Sequence, residues 1–543
     1  MTFPSRTALA AALALITAGC STMPASTTAS APASADWPSY NRTLTSERYA
    51  PLDEINTGNV ARLHVACTYD LGIDTSFQTG PIVVGGTMYA TSEKETFAID
   101  AATCAEKWRV KEDVADSYLK VNRGAAYLDG RLFRGLQDGR VVAYDANDGH
   151  KLWEVRIADP KTGESVPAAP IAWNGMVFIG QAGGDNKGVK GRMYALDAAT
   201  GRQLWETWLV PREQVGGGTS TSTEKVAAPT WGNDPEFPIT GGATWTSYTL
   251  DPASGLLYVP GGNPAPDFSK NLRPGHNLFA NAIVVLDART GEYRRHFEVV
   301  PEDFHDWDMS GAPTLVRTRG DRMLLAAAPK DGNLYGFDLG SGDRLYQTAV
   351  TTRENVDTPL STMPVRFCPG SQGGSEWNGP AYSPSTNLVY TGSVDWCTTV
   401  TIADPKKIAS VALGQAWSGM ADEKNAFGVF DPKEKWSGWI TATDADTGAV
   451  RWKYRTPAPI LAAVTPTAGG LVFGADMANN AYALDAANGK VLWQAKLDGA
   501  AGGGVISYAI DGVQRVAFVA GTNSPIWPVD RQTAKIVVFA LGE

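Results

Sequence analysis

Cysteine is scarce in this chain of 543 residues, with five in all. No pair has the spacing of a zinc site, and no CxxCH run offers covalent haem attachment. A basic face is also missing. Lys and Arg number 47 against 57 Asp and Glu, giving a net charge of −10 and a pI near 5.2. That balance excludes nucleic acid held on a basic stripe and reads as a solvated surface. The apolar run Ala8 to Ile16 is too short to span a bilayer as a mature helix. What is present is globular: 43% hydrophobic and 19% charged residues, with 57 Gly and 33 Pro to serve many tight turns.

The first residues read as an address. Arg6 supplies a charged start, Ala8 to Ile16 an apolar core, and Thr17-Ala18-Gly19 a small-residue exit before Cys20. This resembles a bacterial lipoprotein signal, which implies residues 1–19 as signal peptide and Cys20 as a lipidated first residue. An ordinary secretory signal cut nearby is the alternative. Residues 20–36, rich in Ala, Ser, Thr and Pro, then form a flexible tether, and 37–543 the folded body. The expectation is a periplasmic protein anchored by lipid to a bacterial membrane; Ser21 after the cysteine points to the outer one. An oxidising compartment suits the four remaining cysteines, which can form two disulfides. Cys67–Cys104 and Cys368–Cys397 are the sequence-local pairs, among three possible connectivities.

One phrase recurs seven times. TFAIDAATCAEKW ends at Trp108, VVAYDANDGHKLW at Trp153 and MYALDAATGRQLW at Trp205. IVVLDARTGEYRR ends at Arg295, LYGFDLGSGDRLY at Tyr346, ITATDADTGAVRW at Trp452 and AYALDAANGKVLW at Trp493. Each carries an Asp eight residues before its end: Asp100, Asp145, Asp197, Asp287, Asp338, Asp444 and Asp485. Alternating apolar residues before the Asp predict a strand, and the Asp with the following Gly predicts a turn. The next strand carries a large aromatic able to pack on a neighbouring repeat. An isolated hairpin cannot bury its faces, so the repeats must stack. The prediction is an all-β, eight-bladed β-propeller with four-stranded blades. The long interval between Tyr346 and Trp452 has room for an extra blade without the phrase, around 368–430. The strand KIVVFAL is expected to close the ring against N-terminal sequence.

The stretch from Gly241 to Asp308 stands apart, bringing Trp245, Asn263 and Asp308 into one run rich in Gly and Pro. A flat aromatic, an amide oxygen and a carboxylate can together hold a planar cofactor and a hard cation. Here the chain resembles the pyrroloquinoline quinone (PQQ)-dependent alcohol dehydrogenases, in which D-x-x-T-G-x-x-x-W copies are tryptophan-docking motifs. The resemblance runs over about 40–543 and includes VNRGAAYLDGRLF, GGATW, GGNPAP and HDWD.

The resemblance implies PQQ and Ca²⁺ as cofactors and an alcohol, small or polymeric, as substrate. Electrons would leave to a separate acceptor such as a cytochrome c. Asp308 then matches the catalytic base, taking the alcohol proton while hydride passes to the quinone. Asn263 and Asp308, with Asp185 where a Glu is usual, match the metal ligands. Ser310 stands where lanthanide-using relatives carry a second Asp, which favours calcium. Trp245 matches the floor beneath the quinone and Arg123 a carboxylate-binding arginine; Lys330 falls near the quinone oxygens. Gln78, Gly183, Gly184, Glu376 and Trp377 complete the implied cofactor-binding set.

The departures are specific. Gln78 replaces a Glu, Glu376 an Asn, and Leu461 falls near a usual Trp. Ser117-Tyr118 replaces adjacent cysteines that lie across the quinone, so Tyr118 could stack there instead. These changes keep a second reading open: a non-catalytic propeller lipoprotein, similar to the scaffold of the barrel-assembly machinery at the outer membrane.

Overall fold

The structure is a computed structural model and describes residues 35–115, 117, 119–213 and 221–542. The signal peptide, Cys20, most of the tether and Tyr118 lie outside the described residues. No helix among the described residues is long and apolar enough to cross a membrane.

The chain is all-β, and the described strands form eight four-stranded sheets and one of three strands. Each phrase makes the third and fourth strands of a four-stranded sheet. Arg192–Asp197 and Gln203–Trp208 are one such pair. The Asp closes the turn with its own side chain: Asp197 Oδ1 accepts from Ala199 N at 3.1 Å and Thr200 N at 2.9 Å. The turn ends on a residue with positive φ, such as Gly201 at 74°. In the first repeat Cys104 takes this place at φ 62°, where it is disulfide-bonded to Cys67.

Successive repeats dock through the aromatic. Trp153 lies against Gly201, whose missing Cβ would meet the indole at 2.7 Å. Its Nε1 donates to Ala198 O at 3.1 Å. Trp108 does the same to Ala146 O, Trp205 to Ala288 O and Trp452 to Ala486 O, at 3.0–3.1 Å. Where the Trp is replaced the geometry survives. Arg295 Nη1 donates to Leu339 O at 2.8 Å and Tyr346 Oη to Ala445 O at 3.3 Å.

The eighth four-stranded sheet joins the two ends of the chain. Leu63–Asp70 pairs antiparallel with Lys535–Leu541, the KIVVFAL strand, beside Val513–Ala520 and Ala501–Ile510. Tyr508 Oη of this sheet donates to Ala101 O at 2.7 Å, the docking carbonyl of the first phrase. So the last sheet docks on the first.

The region 368–430 does not form the extra blade expected there. Ala381–Ser383 and Leu388–Asp395 pair directly with the ITATDADTGAVRW strands Ser437–Asp444 and Val450–Thr456. The residues between, 396–436, are an excursion from that sheet. Their strands Thr398–Val400 and Val429–Phe430 join Val365–Phe367 in the three-stranded sheet. The second disulfide, Cys368–Cys397, ties this excursion down. Both sequence-local pairings are therefore formed.

Candidate functional site: a carboxylate-rich cleft

In an antiparallel sheet the connection from second to third strand, and the exit from the fourth, lie at the same end. The predicted residues all fall on such connections. Asp185, Asn263 and Lys330 join second strands to third; Gln78, Arg123, Trp245, Asp308, Glu376 and Trp377 join one sheet to the next. That end holds a cavity of about 710 Å³, and all nine line it, together with Gly183 and Gly184.

Asp308 sits at the centre. Its Oδ1 accepts from Asn263 N at 2.9 Å and from Trp245 Nε1 at 3.3 Å. Its Oδ2 lies 2.6 Å from Lys330 Nζ, and Lys330 N donates to Asp308 O at 3.1 Å. Gly262 makes this approach possible: a Cβ there would stand 2.7 Å from Asp308 Oδ1 and 2.8 Å from Ala243 O. Burial works against the Lys330 charge, but the facing Asp306 and Asp308 carboxylates outweigh it and hold its pKa well above that of free lysine.

Close to Trp245 lie further groups suited to an anionic planar ligand. The Arg123 guanidinium carbon stands 4.4 Å from the Trp245 ring centroid and 4.9 Å from that of Trp377. Trp377 is fixed by donation from Nε1 to Gly502 O at 2.8 Å. Burial pushes the Arg123 pKa down to about 10. Burial also lifts Glu376, with Lys330 pulling it down and Asp308 pushing it up, to about 7. Arg123 Nε, Gln78 Oε1 and Glu376 Oε1 are buried without a hydrogen-bond partner. Buried polar atoms are seldom left so, and three of them facing one cavity mark it as a ligand site. These residues fit PQQ: a flat indole, two cations, and polar atoms awaiting partners.

The three residues expected to hold a metal are neighbours in the cleft. Asp185, Asn263 and Asp308 come together, and the structure adds two residues the sequence reading passed over. Asp267, four residues after Asn263, accepts from Asn263 Nδ2 at 2.9 Å. Asp306, the first Asp of HDWD, points into the same cluster with φ 64°. Burial raises the pKa of Asp185 to about 6 and those of Asp267 and Asp306 well above the usual carboxylate range; neighbouring carboxylates add to each shift. An all-oxygen, carboxylate-rich set of this kind fits a hard cation. Spacing alone could have hinted at Asp306, since HDWD holds two carboxylates two residues apart. Asp267 gave no such signal.

The departures from the expected pattern are accommodated. Ser310 Oγ donates to Ser375 O at 2.6 Å and so is engaged away from the carboxylates. Leu461, buried, packs with Trp377, Trp396, Trp436 and Trp527, and its carbonyl accepts from Asn378 Nδ2 at 2.7 Å. Ser117 Oγ donates to Glu93 Oε1 at 2.7 Å. The 396–436 excursion supplies Trp417 to the cavity wall, and Trp417 N donates to Asp185 O at 2.7 Å.

Comparison with known proteins bears on this geometry. A family model described as the PQQ glucose/ethanol/alcohol dehydrogenase β-propeller domain matches residues 37–353, which include Asp185, Trp245, Asn263, Asp308 and Lys330. A model described as outer membrane protein assembly factor BamB matches only residues 437–538, which hold two copies of the phrase and none of the site residues. The dehydrogenase subunit of the quinone alcohol dehydrogenase of Gluconobacter oxydans is 31% identical over 90% of this chain and 70% of its own length. The quinohemoprotein alcohol dehydrogenase ADH-IIG of Pseudomonas putida is 31% identical over 90% and 72%. The solved structure of that quinohemoprotein superposes with a TM-score of 0.84 at 27% identity, covering 94% of this chain and 80% of its own. A europium-containing methanol dehydrogenase superposes with a TM-score of 0.81 at 26% identity, covering 93% and 98%. The chain belongs to the PQQ-dependent alcohol dehydrogenase family of enzymes.

Proposed function

We propose that this protein oxidises an alcohol to an aldehyde or ketone, using PQQ and a hard cation held in the carboxylate-rich cleft. The observation that carries the reading is Asp308, a buried carboxylate fixed by Asn263, Trp245 and Lys330 at the floor of the cavity. PQQ, when bound, supplies a two-electron acceptor, and the cation a positive charge beside it. The rest is the work of the chain. Oδ1 of Asp308 already accepts two N–H bonds, so Oδ2 is the oxygen that takes the hydroxyl proton. Lys330 fixes that oxygen in place, Trp245 presents a flat face to the cofactor, and Arg123 offers donors to its carboxylates. Val121, Phe427, Ile526 and Trp527 also line the cavity and give it apolar wall for a substrate's carbon skeleton.

The same reading takes the eight four-stranded sheets as the eight blades of one ring. It places calcium in the cleft on the strength of Ser310, and passes electrons to a separate acceptor of the cytochrome c type. It keeps the periplasm and a Cys20 lipid anchor at the outer membrane as its setting, supported by the leader sequence. The test is titration of the chain, begun after Cys20, with PQQ and Ca²⁺. Tryptophan quenching and dye reduction would be followed across an alcohol panel. Saturable, metal-dependent binding with turnover is the expected result. No binding under any metal condition would sink the dehydrogenase reading.

A further inference from the structure

Residues 37–50 lie ahead of the first strand and outside the repeat, yet they bond to the first strand of five four-stranded sheets. Trp37 and Val83 exchange both backbone bonds, Leu250 N donates to Leu44 O, Leu315 N to Thr45 O, Tyr382 N to Glu47 O and Ala50 N to Pro466 O, all at 2.8–3.0 Å. Tyr40 projects from this segment and is 2% exposed. Its ring lies against Gly80 and Gly124: a Cβ on Gly80 would meet Tyr40 Cδ2 at 2.5 Å, and one on Gly124 would meet it at 3.5 Å. Gly80 N donates to Arg123 O at 2.8 Å, which ties these two segments together. The Tyr40 hydroxyl donates to Asn378 Oδ1 at 3.2 Å. Arg48, whose guanidinium carbon is 5.4 Å from the Tyr40 ring centroid, donates from Nη2 to Asn378 O at 2.7 Å. Burial raises the pKa of the Tyr40 hydroxyl, and the nearby Arg48 and Arg123 charges pull it back.

Each contact falls one or two residues from a side chain that faces the cleft. Gly80 follows Gln78 by two residues, Gly124 follows Arg123 by one, and Asn378 comes directly after Glu376 and Trp377. Tyr40 itself stands behind the cavity wall and not in it. We propose that Tyr40 is a positioning residue for the cofactor-binding half of the cleft. It sets Gln78, Arg123 and Glu376–Trp377 relative to one another, and so governs how tightly a planar anionic cofactor is held. These groups sit on three separate connections between sheets. Connections carry few ladder bonds of their own, so the packing behind them decides where their side chains point. One rigid ring that touches two of the segments and bonds to the third gives all three a common reference. Asp185, Asn263 and Asp308 lie on other connections and make no hydrogen bond to Tyr40, so the carboxylate half is set independently. The inference rests on the reading of this cleft as a PQQ site.

The test compares Tyr40→Phe and Tyr40→Ala with the parent chain, each begun after Cys20 and checked for a cooperative melt. PQQ affinity at saturating CaCl₂ is read by tryptophan quenching, and CaCl₂ affinity of the apoprotein by titration calorimetry. Tyr40→Phe keeps the ring and should weaken PQQ binding about 3–10-fold, the worth of one hydrogen bond. Tyr40→Ala removes the surface on which Gly80 and Gly124 rest and should weaken it at least about 30-fold. The CaCl₂ dissociation constant should stay within about twofold in both, whereas a general loosening of the fold would move both affinities. Hydrogen exchange without cofactor supplies a measurement independent of PQQ. Peptides covering 76–82, 121–126 and 374–379 should exchange faster in both variants, most in Tyr40→Ala, while those covering 183–187 and 305–310 stay unchanged. If the parent binds no PQQ, the dehydrogenase reading fails and exchange alone decides the role of Tyr40. PQQ affinity in Tyr40→Ala within threefold of the parent, or exchange raised equally in both sets of peptides, would overturn the proposal. Should Tyr40→Ala fail to fold, unchanged PQQ affinity and exchange in Tyr40→Phe would overturn it.

Discussion

Lys330 Nζ lies 2.6 Å from Asp308 Oδ2, and both side chains are 5% exposed. Asp306 Oδ2 lies 3.6 Å from the same ammonium, so Lys330 keeps a counter-charge if Asp308 is neutralised. Asp308→Asn should therefore fold normally, with the melting temperature little changed. Turnover should fall roughly 10²–10⁴-fold, the usual cost of losing a general base. Single-turnover kinetics on the loaded enzyme would check this, and a variant with full activity would remove Asp308 from the base role.

The docking of aromatics on turn glycines can be separated from the turn itself. Gly201 and Gly175 share φ 74°, but a Cβ on Gly201 meets Trp153 at 2.7 Å and one on Gly175 meets nothing within 4 Å. Gly175→Ala should cost about 1 kcal/mol, the backbone term alone. Gly201→Ala should cost a further 1–3 kcal/mol or so for displacing the indole. Denaturant titration of the two variants gives the difference; equal losses would mean that the indole contact carries no stability.

Cys104 occupies the left-handed position that glycine fills in the other six phrases. With the disulfide removed, the backbone preference is exposed. The pair Cys67→Ser/Cys104→Gly should be more stable than Cys67→Ser/Cys104→Ser by about 1 kcal/mol, the left-handed penalty of a side-chain-bearing residue. Equilibrium unfolding of both double variants reads this directly.

Glu224 gives a pH dependence with a defined sign. Burial alone would raise its pKa. The Arg212 guanidinium, with backbone N–H donors from Thr221 and Arg212, more than reverses this and holds it down at about 2. A depressed folded-state pKa contributes stability above the unfolded value near 4.5, lost as pH falls toward 2. Glu224→Gln should thus be less stable than the parent by on the order of 1–3 kcal/mol at pH 7. The gap should narrow steadily between pH 5 and 3. A gap independent of pH would show that shape, and not charge, is what Glu224 provides.

The repeating frame was legible because its physics is local. Each phrase carries its own strand alternation, its Asx turn and its docking aromatic, so seven hairpins and their order follow from the residues. Even Arg295 and Tyr346, which break the pattern, keep a long donor where the indole Nε1 would be. The eighth sheet was misplaced in part. Residues 368–430 had the length of a blade, but Leu388–Asp395 pairs with Ser437–Asp444 across a 41-residue excursion that no periodicity marks. The closing strand was foreseen because KIVVFAL follows the last phrase and belongs to none of the seven copies.

The sequence by itself determined the repeat and offered both disulfide pairs among three connectivities, and its resemblance to the family pointed to the residues that converge on the cleft: Gln78, Arg123, Asp185, Trp245, Asn263, Asp308, Lys330, Glu376 and Trp377. Those types recur in recognisable local settings, and antiparallel sheets bring their connections to one end. Only the tertiary structure decided how charge is distributed there. Asp267 and Asp306 join the carboxylate cluster, Ser310 bonds to Ser375, and the Lys330 ammonium pairs with both Asp306 and Asp308. Electrostatic balance depends on distances across a few ångströms between segments far apart in the chain, and no spacing along the chain encodes them.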